Sequence, residues 1–155
     1  KRWRKREFVF NVARGFRLSP NFWRAISIAL GKDALKIKSL NKSEIEIGFT
    51  NHQEAIRLKN FKTQSASNVI EVFKSLETFQ LQSILDRHTN PDRMEKYGTP
   101  DLFLFTSHKI THSISRACFV EVKRHDEVLS NDQISELNFL RDIGLKSRVF
   151  RLIER

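Results

Sequence analysis

The stretch that most constrains this chain lies near its C-terminus, where a fully signalled helix stands between two apolar runs. In "SNDQISELNFLRDIG", Ser130 and Gln133 form an S-x-x-Q capping box, and Leu129 and Ile134 are placed for a hydrophobic staple. Gly144 follows, free to take the left-handed conformation that ends a helix. Before it, "ACFVEVK" reads as a strand; after it, "SRVFRLIE" reads as another. Strand, helix and strand in this order form a crossover unit, for which a right-handed connection and parallel pairing are expected. The chain is therefore read as α/β, with helices flanking a central sheet.

The remaining elements are read from the same signals. "SPNFWRAISIAL" predicts a short helix, with Ser19 or Asn21 as its cap and Gly31 as its stop. In "SEIEIGF", Ile45, Ile47 and Phe49 alternate with charged or small residues, the period of a strand. From Ser67 to His88 apolar residues recur at helical spacing, in one long helix or two divided near Thr78. "HTNPDRMEKYGTP" predicts a loop leading into a strand at Asp101 to Phe105, and "TSHKITHSIS" a turn or hairpin tip. The 155 residues suit one compact unit. We divide it into a basic N-terminal extension, 1–66, packed on a core, 67–155.

Charge narrows the partner. Lys and Arg number 28 against 18 Asp and Glu, a net charge of +10 and a pI of 10.1, which favours a polyanion and nucleic acid first. "KRWRKR" sets Lys1, Arg2, Arg4, Lys5 and Arg6 around Trp3, suited to phosphate contacts with an aromatic for stacking, or equally to a solvated tail or localisation signal. No apolar run reaches the ~20 residues that span a bilayer, and no signal peptide opens the chain. The expected location is intracellular: cytoplasmic in a prokaryote or infected cell, nuclear in a eukaryote. A single cysteine, Cys118, excludes an internal disulfide framework and a cysteine-based zinc site. The chain begins at Lys1 rather than Met, as a segment of a longer protein would.

Alternation along "ACFVEVK" puts Phe119, Glu121 and Lys123 on one face of the strand. Such a Glu/Lys pair suits a solvated edge strand; on an inner strand, buried charges need each other or a metal. Asp101 opens "DLFLF", which is apolar on both faces, as a buried central strand is. If the two strands are neighbours, Asp101 and Glu121 converge at the strand ends. Mg²⁺ usually takes only one or two protein carboxylates, and Lys123 would face the same point, able to act on an attacking water or on transition-state charge.

Pro100 and Asp101, then Glu121, Val122 and Lys123, resemble the PD-(D/E)xK motif of restriction-endonuclease-like nucleases. The stretch from Gly98 to Gly144, with "EVK" followed by "D-x-LS-x-x-Q" and a leucine helix, is similar more narrowly to the VRR-NUC (virus-type replication-repair nuclease) family, which includes the Fanconi-associated nucleases. The resemblance implies a restriction-endonuclease-like core with a mixed sheet. It implies Asp101 and Glu121 as metal ligands, the Val122 carbonyl as a further ligand, Lys123 as the catalytic lysine, and Gln133 as the helix glutamine of the site. It also implies a DNA nuclease using Mg²⁺ or Mn²⁺, acting on branched or flap DNA in repair, replication or recombination, and compatible with a homodimer or a monomer. The alternatives are a catalytically silent nucleic-acid-binding module on the same fold, and an assembly domain for an acidic protein.

Several residues keep two readings. Gln133 is also the third helical residue of its own capping box, so cap and site both stand; its i, i+4, i+7 spacing with Leu137 and Leu140 turns it toward the sheet. The family carries an upstream acidic residue on a helix. Glu77, bordering the apolar stripe, is chosen over Glu71, which is expected to face water; Glu7 stays open, and a solvated helix carboxylate is the competing account of Glu77. Of His52, His88, His108, His112 and His125, only His108 and His112 have close ligand spacing, in a polar turn assigned to solvent. Arg124 and His125, just past the motif, are expected to touch phosphate.

Overall fold

The computed structural model describes residues 13–59, 61, 64–92, 98–106 and 117–153. Four strands, β1 (Ala13–Arg17), β2 (Leu102–Thr106), β3 (Ala117–Arg124) and β4 (Lys146–Leu152), form one mixed sheet in the order β1-β2-β3-β4. β1 and β2 pair antiparallel, as do β2 and β3, while β3 and β4 run parallel, as the crossover rule requires. β1 has no counterpart in the sequence reading. It is short, and Gly15 interrupts its side-chain pattern for a steric reason: a Cβ there would lie 2.3 Å from Leu104 Cδ2 across the ladder.

Seven helices accompany the sheet among the described residues: α1 (Phe22–Leu30), α2 (Ala34–Lys38), α3 (Lys42–Asn51), α4 (Gln53–Leu58), α5 (Ala66–Lys74), α6 (Thr78–Thr89) and α7 (Asn131–Asp142). α1 buries Phe22, Trp23, Ala25, Ile26 and Ala29, starts after Asn21 and ends at Gly31, whose φ of 101° only glycine takes without strain. The helical stretch after Ser65 is two helices. Leu76 is buried in the break, and Glu77 caps α6 through a box with Gln80.

The segment read as a strand, "SEIEIGF", is instead helix α3. Asn41 Oδ1 accepts from Glu44 N at 2.9 Å and Glu44 Oε1 accepts from Asn41 N at 3.1 Å, a capping box that overlaps the start of the alternating pattern. Ile45 and Phe49, four apart, are buried, whereas Ile47 is 55% exposed. Gly48 sits mid-helix because α3 presses on the end of α1: a Cβ would lie 2.8 Å from Ala29 O and 2.6 Å from Leu30 Cδ2.

The buried apolar side chains of the helices form one cluster with those of a face of the sheet. That face carries Phe16, Phe103 and Phe119 in register, with Phe103 and Phe119 rings 5.1 Å apart and Trp23 of α1 at 6.4 Å from Phe119. Burying such aromatic groups dominates the core energetics, at about 25 cal/mol per Å² of apolar surface. Glu121 and Lys123 continue the same face beyond Phe119. The apolar layer thus ends where the charges begin.

Candidate active site

One step beyond the Leu102–Val120 pairing, the antiparallel register sets Asp101 across from Glu121. Asp101 is anchored twice: its carbonyl accepts from Leu18 N at 2.8 Å, and its Oδ2 accepts from Val122 N at 2.8 Å. Glu121 is 4% exposed, yet it is a carboxylate among charges. Lys123 Nζ lies 3.3 Å from its Oε1, and Gln133 Nε2 donates to the same oxygen at 2.6 Å. Burial pushes the Glu121 carboxyl above its ordinary range, and the negative Asp101 adds to this; the Lys123 hydrogen bond opposes both without cancelling them.

Gln133 unites its two readings geometrically. Its Oε1 accepts from Ser130 N at 3.0 Å and its own N–H reaches Ser130 Oγ at 3.2 Å, completing the cap, while its Nε2 remains to hold Glu121. Leu137 and Leu140, on the same helical face, are buried against the core. The box that starts α7 therefore also orients a carboxylate of β3.

Two carboxylates in contact, one driven toward protonation by burial and by its neighbour, make a site short of positive charge. A small dication with hard oxygen ligands fits that deficit better than a soft metal would. Among the described residues no group of three His, Cys, Asp or Glu side chains surrounds a common point. Backbone carbonyl, water and phosphate oxygens would complete the shell.

Glu77 is not brought to this point. It caps α6 and lines a groove with Lys38, Lys74, Ala117 and Lys146, at the opposite end of β3 from Glu121. Glu71 is half-buried. Glu7, the Lys1–Arg6 tail, His108 and His112 lie outside the described residues. Arg124 and His125 are exposed just past the site; Arg124 Nε is held by Glu127 Oε1 at 3.1 Å, and its N–H by Oε2 at 3.0 Å. His52 packs Nδ1 on Gly48 O at 3.0 Å.

A cluster missed in the sequence adjoins the site. Glu136, one turn after Gln133, is fully buried; Arg87 Nε donates to its Oε2 at 2.7 Å and His88 Nε2 lies 2.8 Å from its Oε1. Arg87 also donates to Ser135 Oγ at 3.0 Å and lies over the Phe139 ring at 4.5 Å. The ions tie α6 to α7. Helical period could have flagged it, since Glu136 falls between Gln133 and Leu137/Leu140 on the inward side.

The VRR-NUC domain family matches residues 38–152. The chain belongs to that family, a family of nucleases. Its fold is similar to that of a chain in a crystal structure of paFAN1 bound to 2-nt 5′-flap DNA with a gap, with a TM-score of 0.53 and 17% sequence identity. The match covers 88% of this chain and 25% of that one, so the chain spans about a quarter of that protein's length. A comparison with curated proteins returned no match.

Proposed function

We propose that this chain hydrolyses phosphodiester bonds of DNA with a divalent cation, Mg²⁺ or Mn²⁺, at Asp101 and Glu121. The observation that carries the reading is the convergence of Asp101, Glu121 and Lys123 at the end of an apolar sheet face, with Gln133 fixing Glu121. The carboxylates of Asp101 and Glu121 and the carbonyl of Val122 would hold the ion. When bound, the ion supplies Lewis-acid stabilisation of a phosphoryl oxygen and lowers the pKa of a coordinated water.

The chain's own groups do the rest. The Val122 N–H fixes which oxygen of Asp101 faces the site. Gln133 and Lys123 each spend a donor on Glu121 Oε1, holding the carboxylate in one rotamer and offsetting its burial. Lys123 is only 3.3 Å from Glu121, a loose pairing that leaves its other protons for a substrate oxygen. Placed there, the ammonium stabilises charge that grows as the water oxygen bonds to phosphorus and the P–O bond breaks. The net charge of +10 supports a polyanionic substrate, and the flap DNA held by the similar paFAN1 chain supports a branched one.

The test is cleavage of labelled flap, junction and linear DNA in Mg²⁺ and Mn²⁺, with calorimetric titration of Mn²⁺. Asp101→Ala or Glu121→Ala should abolish both Mn²⁺ binding and cleavage while DNA binding persists. Lys123→Ala should keep Mn²⁺ binding and lose about 10²–10³ in rate. Wild-type protein that binds DNA yet cuts none, with no Mn²⁺ heat, would leave the silent binding module as the function.

A further inference from the structure

We propose that the groove between α2, the α5–α6 junction and the α7–β4 turn is a second phosphate-binding surface, which holds the backbone of a DNA strand away from the cleavage site. It encloses about 530 Å³ and is lined by Lys38, Lys74 and Lys146 around Glu77, Gln80 and Ala117. Three ammonium groups thus face one carboxylate. Glu77 accepts a backbone N–H of α6 in its capping box, and none of the three lysines has a carboxylate within ion-pair distance among the described residues. Lys38 Nζ donates to the Leu76 carbonyl, which orients it without neutralising it. Gln80 is committed on both ends, to Glu77 N at 2.9 Å and the Ile143 carbonyl at 3.0 Å, so the wall is rigid.

The lining selects the ligand's chemistry. Lysines serve phosphate as compact point charges, and an uncompensated set of them around a concavity attracts a polyanion. Among the described residues no aromatic ring lines the groove, which suits it to the phosphate backbone rather than to base stacking. Its position suits the same strand. Ala117 and Glu121 share a face of β3 four residues apart, about 13 Å at ~3.3 Å per residue, the length of roughly four base-pair steps along the axis of a duplex at ~3.4 Å each. The same arrangement makes Glu77 a poor cation ligand, since any metal there would sit among three ammonium groups.

This inference rests on DNA being the substrate, and the experiment separates the two. Lys74→Gln/Lys146→Gln in the full chain is compared with Lys42→Gln/Arg57→Gln, which removes equal charge from exposed positions elsewhere, and with Lys74→Arg/Lys146→Arg. Flap-DNA affinity is followed by fluorescence anisotropy from 50 to 200 mM NaCl. The groove variant should lose about 1.8 from the slope of log affinity against log salt, at ~0.9 per phosphate contact, with the melting temperature and the saturated cleavage rate kept. The arginine variant should restore the slope. Wild-type binding with a groove variant that matches the charge control would overturn the groove alone; wild-type protein without affinity for DNA would overturn both readings.

Discussion

Removing one carboxylate from inside the helical layer should cost this protein more than removing any one of its surface charges. Glu136 has no exposed surface, and the side chains of Arg87 and His88 that hold it are 8% and 4% exposed. In Glu136→Ala, the Arg87 guanidinium loses its ion pair while remaining charged in a buried place, beside Ser135 and the Phe139 ring. Breaking a buried pair from one side costs about 3–5 kcal/mol, and for a domain of this size each kcal/mol moves the melting temperature by about 2–4 °C. The expected fall is about 6–20 °C by calorimetry. Acid supplies a second arm. Burial alone would raise the Glu136 carboxyl, but the His88 hydrogen bond and charge, with Arg87, outweigh it and hold the group below its ordinary range. A carboxyl lowered in the folded state adds stability that is complete above the unfolded value of about 4.3 and is lost as pH falls through the folded value. Wild type should therefore lose its advantage over Glu136→Gln as pH drops below the unfolded value of about 4.3. An Ala variant melting within 2 °C of wild type at pH 7, or parallel acid profiles for wild type and Gln, would refute the ion cluster as a support of α6 on α7.

Two further perturbations separate packing from chemistry. Gln133→Ala should lower the melting temperature by no more than the ~1 kcal/mol of a lost cap while cleavage falls at least about tenfold, because the donor to Glu121 goes with the cap; a lowered melting temperature with intact cleavage would assign Gln133 to the cap alone. Gly48→Ala should lower the melting temperature although alanine favours helix by about 1 kcal/mol, because the clash with the Ala29 carbonyl costs about 1–3 kcal/mol; a raised melting temperature would show that α1 and α3 part easily.

The C-terminal half was legible because its signals are local and agree with one another. The box at Ser130, the stop at Gly144 and the period-2 pattern of "ACFVEVK" each name an element within a few residues, and the crossover rule then fixes the parallel pairing. The same rules err at "SEIEIGF", where period-2 alternation over seven residues competes with the N-x-x-E box of Asn41 and Glu44 that overlaps its start. The burial of Ile45 and Phe49, four apart, shows which period governs. Tertiary pairing was out of reach in principle: that β1 lies beside β2, or that Arg87 and His88 meet Glu136, depends on chain segments tens of residues apart. Glu77 shows the limit for the site. Helical spacing puts it beside an apolar stripe, whereas it is the exposed residue that caps α6, and a stripe does not say which end of the sheet a residue lies near.

What the sequence did carry about the site follows from where buried charge is tolerable. An apolar strand face can change to Glu and Lys only where the layer above it stops, and here it stops past Phe119, beyond Trp23 of α1. The start of α7 closes that gap with a polar amide. One end of Gln133 completes a helix cap and the other a carboxylate's hydrogen bonds, so folding the helix sets the Glu121 rotamer before any ligand arrives. A site built this way is preorganised by secondary structure itself. Its cost is a raised Glu121 carboxyl, and a bound dication would relieve that cost while using the same oxygens for chemistry.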